Sequence, residues 1–147
     1  MFNRIVVGTD GSETAGEAVR QAVDLAKLAG ARLSIVSAYA PVSKRRLQSE
    51  QEGAPVDVQY EIGPREDVNL VLDAAAASAK KEGLDVQTHP VEGEPAEALL
   101  SVAEETDADL IVVGNKGMTG ARRFLLGSVP NNVSHHAPCS VLIVRTT

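Results

Sequence analysis

Three clusters of residues in this chain have the types and spacing to do chemistry. The first is Gly114-Asn115-Lys116-Gly117, followed after nine residues by Gly127-Ser128-Val129. Glycine lets backbone approach an anion closely, and free N–H groups at a helix start point toward it. Set just after the apolar run Leu110-Ile111-Val112-Val113, this pattern is suited to hold phosphate. It is not a P-loop, because no Gly-Lys-Ser or Gly-Lys-Thr closes a four-residue gap. It is not the dinucleotide fingerprint either, which needs G-x-G-x-x-G after the first strand. The second cluster, Gly8-Thr9-Asp10-Gly11-Ser12, stands at that first-strand exit. It reads both as an Asp-Gly turn before a helix and as a ligand contact through Asp10. The third is His135-His136, with Cys139 close by. Neighbours on a helix point about 100° apart and cannot share one metal face, and no further ligand lies at zinc spacing. The histidines read as surface residues complementing a helix C-terminus.

Alternating strands and helices must position these groups. Arg4 to Gly8 is a short apolar strand, after which Ala15, Ala18, Val19, Ala22, Leu25, Ala26 and Ala29 recur at helical spacing. Thr14 followed by Glu17 predicts a capping box at that helix start, and Gly30 a stop. Arg32 to Tyr39 is the second strand. Val68, Val71, Leu72, Ala75 and Ala79 form the inner face of a second helix that Gly83 ends. Asp85 to Val91 alternates as a third, less buried strand. Pro95 opens a third helix, where its missing N–H costs little. Its inner face is Ala96, Leu99, Leu100 and Ala103. Leu110 to Val113 is the fourth strand, a short helix follows Ser128, and Ser140 to Arg145 closes the chain. This alternation predicts an α/β protein whose parallel sheet is covered on both faces. Ligands of such sheets bind beyond the carboxyl ends of the strands, where the strand order reverses. Asp10, Ala38 and Gly114 follow such ends and are expected to meet there. Ala40 to Gly63 is too long for an ordinary loop and reads as a lid or a passive insert, with Lys44-Arg45-Arg46 within reach of phosphate as a lid.

Composition narrows the function classes. The 147 residues fit one domain with a real core, 44% of them apolar and 23% charged. A net charge of −6 and a pI near 5.0 argue against nucleic acid or an anionic membrane as the main partner. Aromatics are only 3%, too few for a base-stacking platform. The single cysteine, Cys139, excludes a disulfide framework and reads as a small buried hydrophobe. No signal peptide or run of about 18 apolar residues is present, so the expectation is a cytoplasmic protein, and the sequon Asn132-Val133-Ser134 is idle. Phosphoryl transfer requires a metal ligand, a residue orienting the nucleophile and a cation on the developing charge. The motif supplies backbone and one hydroxyl, so binding of a phosphate-bearing ligand with slow or no turnover is expected.

Over its whole length the chain resembles the universal stress proteins, in particular their ATP-binding branch. Ile5-Val6-Val7-Gly8-Thr9-Asp10-Gly11-Ser12 is similar to that family's first strand and acidic turn, and Val91-Glu92-Gly93-Glu94-Pro95 to its turn into the third helix. Ala108-Asp109-Leu110-Ile111-Val112-Val113-Gly114 is similar to its fourth strand. Gly114, Gly117, Gly127 and Ser128 meet the G-x2-G-x9-G-[ST] motif of the nucleotide-binding members. The resemblance implies one domain over residues 1–147, a Rossmann-like sheet of strand order 3-2-1-4-5, and a stress or signalling role. It implies that Thr9 and Asp10 lie against adenosine and that Ala38 meets adenine through its backbone. Gly114, Asn115, Lys116, Gly117, Gly127, Ser128 and Val129 would hold ribose and phosphates, with the Ser128 hydroxyl capping the last helix. The ligand implied is ATP, with AMP, ADP or cAMP as alternatives and Mg²⁺ as an optional companion. Lys116, Arg122 and Arg123 are the candidate phosphate cations. The resemblance also implies a homodimer through the strand Ser140 to Arg145.

Overall fold

The computed structural model describes residues 1–40, 64–115 and 127–146. Most of the proposed lid segment, and Lys116, Gly117, Arg122 and Arg123, lie outside the described residues. Elements alternate in the order β1 (Arg4–Gly8), α1 (Glu13–Ala29), β2 (Arg32–Tyr39), α2 (Pro64–Lys80), β3 (Val86–Glu92), α3 (Pro95–Glu105), β4 (Leu110–Gly114), α4 (Ser128–His136) and β5 (Ser140–Val144). The sheet has five parallel strands in the order 3-2-1-4-5, as expected.

Period-two alternation of side chains divides the core in two. Ile5, Val7, Leu33, Ile35, Leu110 and Val112 point to one face, where Ala18, Val19, Ala22 and Ala26 of α1 and Val68, Leu72 and Ala79 of α2 cover them. Val6, Val36, Ile111 and Val113 point to the other, beneath Ala96, Leu99, Val102 and Ala103 of α3 and Val133 of α4. Both faces being buried, the inner strands read as continuous apolar runs. Gly30 ends α1 in the left-handed region at φ 68°, its N–H donating to the Ala26 carbonyl. Pro95 takes the first helical position of α3.

The start of α1 departs from expectation. Its N-cap is Ser12, whose Oγ accepts from the Ala15 N–H at 3.2 Å, two residues before the Thr14–Glu17 capping box. Glu17 instead pairs with Arg20 and accepts from Gln21. The Asp10 turn delivers Ser12 in extended geometry, at φ −72° and ψ 161°, so the earlier hydroxyl reaches the helix donors first.

Candidate functional site

The strand order reverses between β1 and β4, and a cavity of about 240 Å³ opens beyond their carboxyl ends. Its walls come from the β1–α1 turn, the end of β2, the end of β4 and the start of α4, with Leu99 and Pro95 of α3 beside them.

Local hydrogen bonds fix the β1–α1 wall. The Thr9 N–H donates to the Val36 carbonyl at 2.9 Å, the last bond joining β1 to β2. Thr9 Oγ1 accepts from the Gly11 N–H at 3.2 Å, and Asp10 Oδ1 accepts from the Ser12 N–H at 2.8 Å. Asp10 is thus a turn-former, as the first of its two readings has it, and it also lines the cavity. Gly11 is needed twice over. Its φ is +83°, and an added Cβ would stand 2.8 Å from Val71 Cγ2.

The β2 wall is a matter of backbone direction. Arg32 donates to Asn3 and Val36 accepts from Thr9, whereas Leu33 donates to Asp85 and Tyr39 accepts from Gly93. Even-numbered residues of β2 therefore bond toward β1 and odd-numbered ones toward β3. Ala38 is the penultimate residue of β2 rather than the residue after it. By this alternation its N–H and C=O face the side that β1, ending at Gly8, has left. With no partner among the described residues, one backbone donor and one acceptor are thus turned toward the cavity edge.

The opposite wall is the β4–α4 junction. Gly114 is the last residue of β4 and lines the cavity. The N-cap of α4 is Gly127, at φ −60° and ψ 163°, and no side chain caps the helix. Ser128 is therefore the first helical residue and not the cap. The reason is local, since Gly127 holds the extended cap geometry and its carbonyl accepts from the Asn131 N–H at 3.0 Å. The N–H groups of Ser128 and Val129 have no carbonyl one turn back within the helix, and Pro130 has no N–H to satisfy. Donors and helix dipole together make this end attractive to anions.

Of the residues singled out in the sequence, Thr9, Asp10, Ala38, Gly114, Ser128 and Val129 line this one cavity. Asn115 and Gly127 adjoin the lining residues Gly114 and Ser128 in sequence and are joined by a 3.0 Å bond from the Gly127 N–H to the Asn115 carbonyl. Ser12, Thr14, Ala15, Leu99 and Pro130 line it too and were missed. The first three were discoverable from the rule that the helix after β1 starts at the switch point, whereas Leu99 looked like any core leucine. Asp10 is the one acidic residue on the described walls, and it is already bonded to Ser12. Among the described residues no three His, Cys, Asp or Glu gather to hold a metal. His135 and His136 are exposed in the last turn of α4, their rings 6.4 Å apart and tilted by 56°. Cys139 precedes β5, half-buried, and burial followed by the Asp109 carboxylate pushes its thiol above the ordinary range.

Together these features define a doubly wound α/β protein with an anion-attracting cavity at its switch point. The family model described as the universal stress protein family matches residues 1–145, and the chain belongs to that family. Universal stress protein Rv1636 of Mycobacterium tuberculosis is 39% identical over 149 residues, spanning 99% of this chain and 98% of that protein. The crystal structure of a universal stress protein in complex with cAMP superposes with a TM-score of 0.73 at 35% identity, covering 99% of this chain and 98% of the other. The universal stress protein of Archaeoglobus fulgidus in complex with dAMP superposes with a TM-score of 0.66 at 26% identity, covering 98% of both chains.

Proposed function

We propose that the protein binds an adenine nucleotide in this cavity and acts as a stress or signalling sensor rather than a turnover enzyme. The observation that carries the reading is convergence: the Ala38 peptide edge, Gly114 and the first N–H groups of α4 all meet one cavity. Adenine carries a ring-nitrogen acceptor near an amine donor, which a residue offering both N–H and C=O can match. A carboxylate repels phosphate, so Asp10 belongs with ribose and base. Phosphates then run along Gly114, Gly127, Ser128 and Val129, with Lys116 and Gly117 completing the motif. ATP is the ligand that uses the whole motif, and AMP and ADP use parts of it. The cAMP-bound neighbour at 35% identity favours cAMP as a second reading. With Asp10 committed to its turn, no general base stands free on the described walls, and hydrolysis should run far below the ~1–100 s⁻¹ of kinases. The reading includes a cytoplasmic location and a homodimer through Ser140 to Arg145. The net charge of −6 leaves nucleic acid and membrane out of it.

Mass spectrometry of ligand released from undialysed protein, then calorimetry of the stripped protein with ATP, AMP, cAMP and GTP, tests this. Adenine nucleotides are expected to bind and GTP to bind much more weakly. The rank of ATP and cAMP decides between the two ligands. Absence of any adenine-nucleotide binding overturns the reading. Gly127→Val adds a β-branched side chain at a φ of −60° that valine adopts freely, so the fold should survive while phosphate access is lost. Unchanged affinity in the folded variant would move the phosphates elsewhere.

A further inference from the structure

Asn115 is not among the residues lining the cavity, yet four hydrogen bonds hold it in place. Its N–H donates to the Val144 carbonyl at 2.8 Å, and its carbonyl accepts from the Gly127 N–H at 3.0 Å. Its side-chain Oδ1 accepts twice from Thr146, from the backbone N–H at 2.9 Å and from Oγ1 at 3.0 Å. One residue thus ties the end of β4 to the exit of β5 and to the N-cap of α4. Gly127 has no side chain of its own to fix it, and the helix has no side-chain cap. The Asn115 carbonyl thus holds the N-cap from the β4 side, while Pro130 and Val133 pack the helix itself, and together they set where the Ser128 and Val129 N–H groups face. The Asn115 peptide is in turn held in place by Val144 and Thr146.

We propose that Asn115 is a positioning residue for the phosphate end of the site, anchored by Thr146 beyond the last strand. The inference rests on the adenine-nucleotide reading above. Asn115 acts on the α4 wall, whereas Asp10 and Ala38 stand on the β1 and β2 walls. Its loss should therefore misplace the donors for phosphate and leave the base and ribose contacts intact. The anchor makes the residues after β5 part of phosphate recognition, although they touch no ligand.

The test compares ATP with adenosine by calorimetry on the stripped full-length protein and its variants. Asn115→Ala should lose about tenfold in ATP affinity, the factor of one net hydrogen bond, and bind adenosine like the wild type. Thr146→Ser keeps both donors and should behave as the wild type. A chain ending at Arg145 loses both donors and should reproduce the Asn115→Ala profile. Combining the truncation with Asn115→Ala should add nothing further, because both remove the same pair of bonds. Equal losses for ATP and adenosine would show a general structural role and overturn the proposal, as would unchanged ATP affinity in Asn115→Ala. Should Asn115→Ala fail to fold, the truncation and Thr146→Ser carry the same comparison. A wild type that binds neither ligand brings down the nucleotide reading itself, and this inference with it.

Discussion

Gly11 sets the geometry of the β1–α1 turn, and its substitution is a sharp test of that wall. At φ +83° a side chain is strained, by roughly 1 kcal/mol or more. A methyl group would also stand 2.8 Å from Val71 Cγ2, and such overpacking costs about 1–3 kcal/mol. Gly11→Ala is therefore expected to destabilise by about 2–4 kcal/mol, read as a lower midpoint in urea. Wild-type stability would mean that the turn relaxes without strain. This part of the site was legible, because Asp-Gly after a buried strand has few other uses. The cap was less so. Ser12, Thr14 and Glu17 all fit helix-start patterns, and only the turn made by Asp10 Oδ1 decides that Ser12 reaches the helix first. Lys116 and Gly117 of the phosphate motif lie beyond the described residues, so their part stays with the motif.

Among the elements, β3 is the strand with no fully buried residue, although β5 has the larger share of exposed ones, and it carries an unusual group. His89 is half-buried there, and its Nε2 has no hydrogen-bond partner among the described residues. Burial pushes the imidazole below its ordinary value, and the Glu105 carboxylate pulls weakly the other way. The unfolded chain then takes up a proton near pH 6.5 while the folded chain still resists it. Stability is thus full above about pH 6.5 and falls as pH drops from there toward the folded value. The Lys27–Glu82 pair holds across this range, its contribution being lost only as pH falls below the usual carboxylate range or rises through the raised Lys27 value. Urea unfolding of the wild type and His89→Leu at pH 7.5 and 5.5 checks this. The wild type should lose stability at pH 5.5, and the variant should lose less. Equal losses would assign the slope to other groups. Element positions were legible because apolar runs and helical spacing do not overlap in this chain. Element ends moved by a residue or so because they depend on backbone bonds that no periodicity reports.

At the level of the whole molecule, the sheet leaves β5 as an edge. Its Val144 carbonyl accepts from Asn115, so even-numbered residues of β5 bond inward toward β4 and odd-numbered ones face out. The N–H and C=O groups of Val141 and Ile143 therefore point away from the sheet, with no partner among the described residues. Leu142 and Ile143 are 38% and 37% exposed, on opposite faces of the strand. An apolar edge with unpaired backbone groups is a template for another strand, and neither charge nor proline interrupts Val141 to Val144. A two-fold pairing of this edge with its own copy would be antiparallel and self-complementary. The proposed homodimer follows, with Val141 and Ile143 supplying the ladder. Ile143→Pro removes an outward donor and leaves the inward bonds to β4 in place, as proline is tolerated on an edge. Light scattering of the wild type over a micromolar dilution series should give twice the 15.4 kDa of one chain. The proline variant should give a single-chain mass with an unchanged circular dichroism spectrum. A wild type of 15.4 kDa at those concentrations would leave the edge uncovered and refute the dimer. A dimeric wild type whose proline variant stays dimeric would move the interface to another face.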